Sequence, residues 1–303
     1  MSTKLFGCFV LAATIASTLN AESRCPGNVS SLPYRVVNRH QMIVPVSIHH
    51  SGPFSFLLDT GTQMTTVDPA LAEALHLETT GKAAVASVGV QASASFAQAG
   101  LIEVGSHSVA NLKVLVYDLA NLQTTGLNIQ GVLGEDFLKQ FDMLIDNAHG
   151  LVCLDDSGAM RAEVKGAHVA LLSPAHSTDE TPIAESLIVS AKLSDGVRPV
   201  RLKLDSGTNV PFLYNTSEYM ALGAFRGASL QGGGANGSQR IFTALPLQNM
   251  KIGTVEMPRV QFVTLGGAKK DSHTSEFDGL LTLGLFRRVF IDHSEHFAVL
   301  DPW

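Results

Sequence analysis

The chain has 303 residues, 45% hydrophobic and 16% charged, with a formal net charge of −6. That composition excludes a disordered chain, and the acidic balance argues against nucleic acid as a partner, since phosphate binding needs a basic surface. The length suffices for two lobes of ordinary size, each with its own core.

Residues 1–21 carry one Lys, an apolar run from Leu5 to Ala16 and a polar stretch ending at Ala21, the pattern of a cleaved secretory signal. The run is too short to span a bilayer comfortably, and no later run approaches that length, so the expected mature protein is soluble, secreted or periplasmic, without membrane contact. Cys8 sits near the start of the run, whereas a lipid-acceptor cysteine would follow it. Cleavage would remove Lys4 and no acid, moving the charge from −6 to −7. Cys25 and Cys153 would remain. Export permits a disulfide between them, but "GLVCLD" around Cys153 favours an apolar core thiol, and that is the expected state.

After an N-terminal segment, residues 22–34, a first lobe is expected over 35–155. Its opening strand, "GPFSFLL", runs into Asp59, Thr60, Gly61 and Thr62. A carboxylate closing an apolar strand is costly to ionise unless hydrogen-bonded or shared, so the stretch is either a plain turn or a functional acid. Asp68 followed by Pro69 then starts a short helix through "ALAEAL". Gly89 marks the tip of a hairpin in "AVASVGVQASASF", and "GVLGEDFL" supplies an apolar pair, Gly134 and a helical turn.

Residues 156–182 mix Pro, Ser, Thr and Asp in the manner of a connector. The second lobe, 183–303, then repeats the first. "GVRPVRLKLDSGTNVPFLYNTSEYMAL" carries Asp205, Ser206, Gly207 and Thr208 where the first copy has Asp59 to Thr62. Gly233 in "ASLQGGGANGSQRIF" marks the matching hairpin, "EYMAL" the matching helix, and "GLLTLGLF" the matching apolar pair. The closing stretches "FDMLIDNAHGLVCLD" and "FRRVFIDHSEHFAVLD" match in spacing, Asp146 to Asp155 as Asp292 to Asp301. Two acidic turns in register inside an internal repeat are far more specific than one.

These residues resemble the aspartic peptidase superfamily, the pepsin-like and retropepsin-like enzymes, over nearly all of the mature chain. "LLDTGT" and "LKLDSGT" look like the family's two catalytic loops, and "GVLGEDFL" like its second signature. The resemblance implies an all-β acid protease fold with few short helices: two homologous β-barrel-like lobes related by a pseudo-twofold axis, with a central cleft. It implies Asp59 and Asp205 as a catalytic dyad sharing one proton, with water as the attacking group and neither metal nor organic cofactor required. Thr60 and Ser206 would lock the loops across the interface, and Gly61 and Gly207 would let the backbone pass close to the carboxylates. Thr62 and Thr208 would donate hydroxyls to them, giving an acid-shifted optimum. Hairpins at Gly89 and Gly233 would act as flaps over an extended peptide or protein substrate. With both half-sites on one chain, a monomer is expected. The second half departs from the family in having Thr282 where Gly134 stands in the first, which puts the packing beneath Asp205 in question. That departure, with no obvious flap tyrosine near Gly89, leaves a catalytically weak or inactive peptide-binding relative as the alternative.

Three other motifs are read as structural. Asp156, Ser157 and Gly158 fall past the end of the first lobe and form a turn with no helix signal after it. Gly232, Gly234 and Gly237 fit a dinucleotide fingerprint, but no helix opens after them, and a hairpin tip is expected instead. His49 with His50 and the "DHSEH" stretch at 292–296 lack metal-site spacing and are read as solvated loops.

Overall fold

The computed structural model describes residues 24–87, 90–120, 122, 128–172, 187–214, 227–233, 239–265 and 276–303. The proposed signal, the residue Gly89 and the helix expected at "EYMAL" lie outside the described residues.

The first ten strands are β1 (Arg35–Val37), β2 (Gln41–Ile48), β3 (Ser51–Leu58), β4 (Thr66–Val67), β5 (Thr79–Ser87), β6 (Val90–Gln98), β7 (Leu101–Val104), β8 (His107–Ala110), β9 (Lys113–Val116) and β10 (Gly131–Leu133). Two short helices, α1 (Pro69–Ala74) and α2 (Glu135–Leu138), follow β4 and β10. Asp68 caps α1 by accepting from the Ala70 amide, and Pro69 occupies the first turn, where its missing N–H costs nothing. β11 (Asp142–Asp146), β12 (Leu151–Asp155), helix α3 (Ala159–Glu163) and β13 (His168–Ala170) come next. The second half adds β14 (Ile188–Leu193), β15 (Val200–Asp205), β16 (Phe212–Leu213), β17 (Ser229–Gly233), β18 (Gln239–Ala244), β19 (Gln248–Ile252), β20 (Val255–Val260), β21 (Val263–Leu265), β22 (Gly279–Thr282), β23 (Phe286–Asp292) and β24 (Phe297–Pro302).

The two halves build the same sheet. The first runs β5-β6-β9-β4-β10-β3-β2-β7-β8, and the second runs β17-β18-β21-β16-β22-β15-β14-β19-β20, a match at every position. The senses match as well: β3 with β10 and β15 with β22 are parallel, while β4 with β10 and β16 with β22 are antiparallel. Strands flanked by partners and covered on both faces should be continuously apolar, and Leu58, Leu133, Leu204 and Leu281 are fully buried.

A third sheet, ordered β12-β11-β23-β24-β13, joins the halves. At its centre β11 and β23 pair antiparallel with Leu144 opposite Phe290, residues separated by the same 146 positions that separate Thr60 from Ser206. Equivalent residues facing each other mark the pseudo-twofold axis. The fold is all-β with few short helices and two lobes, as the resemblance implies.

The segments flanking the first lobe are more tightly integrated than their composition suggests. Inside the span expected as a connector, α3 and β13 are regular, and β13 pairs with β24. The N-terminal segment reaches β12 through the Leu32 amide, which donates to the Val152 carbonyl, and through a bridge between Ser31 and Cys153. Cys153 is not a free core thiol: it forms a disulfide with Cys25. Both sulfurs sit in an apolar cluster with Leu144, Met160 and Phe290, so the apolar surroundings of Cys153 were a true signal for burial and no signal for its redox state.

Candidate functional site

Each lobe sends one acidic turn to the interface, and backbone pairing fixes where it ends. The Asp59 amide donates to the Leu133 carbonyl at the end of β10, and Asp205 is the last residue of β15, opposite Thr282 of β22. The turns then grip each other by four reciprocal hydrogen bonds. The Thr60 amide donates to Ser206 Oγ (3.1 Å), and the Ser206 amide donates to Thr60 Oγ1 (3.0 Å). Thr60 Oγ1 donates to the Leu204 carbonyl (2.9 Å), and Ser206 Oγ donates to the Leu58 carbonyl (2.8 Å). Thr60 and Ser206 are buried, so each bond satisfies a group that would otherwise cost about 1–3 kcal/mol to leave unpaired.

That grip brings Asp59 and Asp205 together, and their side chains share a hydrogen bond. A Cβ built on Gly61 would lie 2.5 Å from the Asp205 carboxyl carbon, and one on Gly207 would lie 2.5 Å from that of Asp59. Each glycine therefore leaves room for the carboxyl of the opposite lobe. Asp59 is half-buried and so reachable from solvent, while Asp205 is 7% exposed. Burial, followed by the adjacent Asp59 charge, pushes the Asp205 pKa up to about 8. Burial and the neighbouring charge accordingly favour a single proton held by the pair over a wide pH range.

The carboxylates have unlike partners. Asp59 accepts from the Gly61 amide (2.8 Å) and from Thr62 Oγ1 (2.9 Å). Asp205 accepts from the Gly207 amide (2.7 Å) and the Thr208 amide (3.1 Å). The expectation for the Thr208 hydroxyl is overturned: Thr208 Oγ1 donates to the Val210 carbonyl at 3.1 Å. A nearby backbone acceptor competes for a short hydroxyl, and here the local turn wins.

Beneath the loops the two lobes solve one packing problem in two ways. A Cβ on Gly134 would fall 2.8 Å from the Met64 carbonyl carbon and 2.9 Å from the Thr65 amide nitrogen, so only glycine fits against that turn. Thr282 instead fills the corresponding space and donates Oγ1 to the Thr208 carbonyl at 2.7 Å. The substitution supports the second loop rather than disturbing it.

Two cross-lobe contacts were not read from the sequence. Gln41 donates Nε2 to the Gly207 carbonyl, and Lys203, 2% exposed, donates Nζ to the Gly61 carbonyl at 2.7 Å. The repeat sets Lys203 opposite Leu57, a charge where the first copy has an apolar residue, but alternation along "VRLKLD" groups it with Arg201 and Asp205, so its burial was not visible.

Both hairpins expected from the glycines exist as strand pairs. β5 pairs with β6 up to Ser87 opposite Val90, and β17 pairs with β18 up to Gly233 opposite Gln239. Gly233 is thus a strand residue at the near edge of the turn. Gly232 lies in the same strand, while Gly234 and Gly237 fall outside the described residues. The Asp156–Gly158 motif is a turn in which Asp155 accepts from Ser157 and from the Met160 amide, but α3 does follow it, against expectation. The carboxylate of Asp155, three residues before the N-cap Gly158, accepts from the first turn of that helix, so the usual cap position carries no start signal. His50 pairs with Glu103 at a surface turn. His293 is not solvated: it is buried, donating Nδ1 to the Phe141 carbonyl (2.6 Å) with Nε2 3.3 Å from Glu135 Oε2.

Residues 44–137 match the family model described as aspartyl protease, a span that holds Asp59 to Thr62 and Gly134, so over the first lobe the chain is similar to the aspartic peptidases and the match bears out the resemblance there. Among solved structures, the chain is similar to the aspartic proteinase from Irpex lacteus at 11% sequence identity, with a TM-score of 0.49, over 90% of this chain and 97% of that one. No curated protein sequence matches it significantly.

Proposed function

We propose that the protein is an aspartic endopeptidase that hydrolyses peptide bonds of extended polypeptides, using Asp59 and Asp205. The observation that carries this reading is the meeting of two carboxyls, one from each lobe and each packed against the glycine of the opposite loop, with Asp59 reachable from solvent. Asp59, ionised and steadied by the Thr62 hydroxyl and Gly61 amide, draws a proton from water. Asp205 donates its proton toward the scissile carbonyl, so that oxygen becomes a hydroxyl as the water oxygen bonds to carbon. Collapse of the tetrahedral species then breaks the C–N bond: the proton gained by Asp59 passes to the leaving amine, while one hydroxyl returns its proton to Asp205 as the carbonyl of the new carboxyl group forms. The mechanism forms no covalent enzyme intermediate.

The paired hairpins β5–β6 and β17–β18 suit an extended substrate, which can be held by main-chain hydrogen bonds while alternate side chains enter pockets. In this reading residues 35–155 and 183–303 are the two protease lobes, each with its own flap, and the working unit is a monomer. Export of the mature chain to the periplasm or medium is supported by the signal-like first 21 residues and by the Cys25–Cys153 disulfide, which an oxidising compartment preserves.

The test is cleavage of a mixed peptide library from acidic to neutral pH by the wild type, Asp59→Asn and Asp205→Asn. Cleavage by the wild type and its loss in both variants support the peptidase. Peptide binding without cleavage by the wild type identifies a binding module instead, and cleavage that survives both changes places the chemistry elsewhere.

A further inference from the structure

Lys203 is the only buried Lys or Arg among the described residues. Alternate strand residues share a face, so Lys203 lies on the same side of β15 as Asp205. Its neighbours across β15 are Ile188 of β14 and Leu280 of β22, both apolar. The Phe277 ring centroid is 5.8 Å from Nζ. Asp278, next to Phe277, is engaged by Arg198 and by the Arg201 amide. The charged group that Lys203 acts on is Asp205, on the same face of its own strand.

An ammonium has three donors and is expensive to bury, yet one acceptor, the Gly61 carbonyl, is provided for it among the described residues. A structural role does not require it, since Leu57 fills the matching place in the first lobe with an apolar cluster of Ile43, Leu119, Ile129 and Val132. A neutral side chain also suffices for the other cross-lobe contact, because Gln41 donates to the Gly207 carbonyl. What lysine adds, and leucine and glutamine lack, is a charge beside the carboxyl pair.

We propose that Lys203 is a positioning residue of the dyad: it pins the Asp59 loop through the Gly61 carbonyl, and its buried positive charge moves the working pH range of the pair toward acid. This rests on the peptidase reading for its consequence in catalysis, though not for the charge effect itself. The direction follows from electrostatics. The Lys203 charge favours the ionised form of Asp205, so Asp205 gives up its proton at lower pH than burial and the Asp59 charge alone would set. Removing the charge should move the alkaline limb of the pH–rate profile upward.

The experiment follows the carboxyl carbons of Asp59 and Asp205 by ¹³C NMR titration, beside the pH–rate profile, in wild type, Lys203→Met, Lys203→Gln, Lys203→Arg and Gln41→Leu. Met keeps the length of the chain without charge, Gln keeps a donor without charge, and Arg keeps the charge. The expected result is an upward shift of the Asp205 titration by about one pH unit or more in Met and Gln, a value near wild type in Arg, and no shift in Gln41→Leu. An unmoved Asp205 titration in a folded Met or Gln variant overturns the proposal, and so does an equal shift in Gln41→Leu. If Met fails to fold, Gln decides, since it retains the bond to Gly61. Absence of cleavage by the wild type would refute the peptidase reading, while the NMR midpoints would still decide the role of Lys203.

Discussion

The two loops that carry Asp59 and Asp205 share one backbone and differ in chemistry. In the first, the Thr62 hydroxyl reaches the carboxylate, glycine underlies the turn, and the strand leading in is apolar at Leu57. In the second, the Thr208 hydroxyl turns away to Val210, the Thr282 hydroxyl ties the turn from beneath, and the strand carries Lys203. The lesson is that duplication fixes where two acids meet, while a handful of side chains gives each of them a different environment. The closing strands repeat the pattern. Asn147 donates across to the Phe286 carbonyl (2.9 Å), and at the matching place His293 donates across to the Phe141 carbonyl (2.6 Å). One of these contacts is neutral and the other titrates.

The most severe way to break the comparison is to neutralise each acid in turn. Asp59→Asn and Asp205→Asn should each lower kcat by about 10²–10⁴-fold, the range for losing a positioned acid or base. They should part company in stability. The Asp205 pKa rises from 3.8 to about 8 on folding, so its contribution is fully present below pH 3.8 and is lost as pH climbs toward 8. Thermal melts should therefore show Asp205→Asn flattening the pH dependence and raising the neutral-pH Tm. An unchanged slope would contradict the raised Asp205 pKa.

Exchanging the supports beneath the loops comes next. Gly134→Ala pushes a methyl against backbone at 2.8 Å and should cost about 1–3 kcal/mol, as overpacking does. Thr282→Gly removes the hydroxyl bond to the Thr208 carbonyl and a longer one from the Gly284 amide, and should cost about 1 kcal/mol beyond the backbone entropy of glycine. Denaturant midpoints at constant slope compare the two; a larger loss for Thr282→Gly would reverse the reading.

The hydroxyls sharpen the comparison further. Thr62→Val should lower kcat, because the Asp59 carboxylate loses the hydroxyl that holds it in place, whereas Thr208→Val should leave kcat near wild type. Equal losses would show that the two hydroxyls act alike on the pair.

The smallest effect belongs to His293. Burial disfavours its charged ring, but Glu135 and the Phe141 carbonyl outweigh that and hold its pKa above the ordinary 6.5. A raised value means stability fully present below 6.5 and lost as pH rises through the folded pKa. His293→Asn, which copies the first-half residue Asn147, should remove this part of the decline between mildly acidic and alkaline pH. Melts of both proteins across that range read it directly.

Much of the fold was legible because it is local and repeated. "LLDTGT" and "LKLDSGT" end apolar strands on the same turn, the Asp68–Pro69 pair caps a helix that exists, and the spacing from Asp146 to Asp155 returns from Asp292 to Asp301. Side-chain partners that cross between halves were not legible. Cys153 sits among apolar residues whether free or bonded, and only the path of the chain around Pro26–Asn28 brings Cys25 to it. Thr208 and Thr62 occupy equal places in the repeat, and only the position of the Val210 carbonyl separates them.

The amino-acid order by itself determined the duplication, the strand-and-turn grammar of each half, and the two aspartates, because these are set by alternation of apolar residues and by the turn preferences of Asp, Thr and Gly over a few positions. The tertiary structure alone decided that burial and the Asp59 charge raise the Asp205 pKa, that Lys203 reaches the opposite loop, and that His293 is buried against Glu135. Each of these depends on distances between segments more than a hundred residues apart, and charge, burial and hydrogen bonding are fixed only when such segments pack.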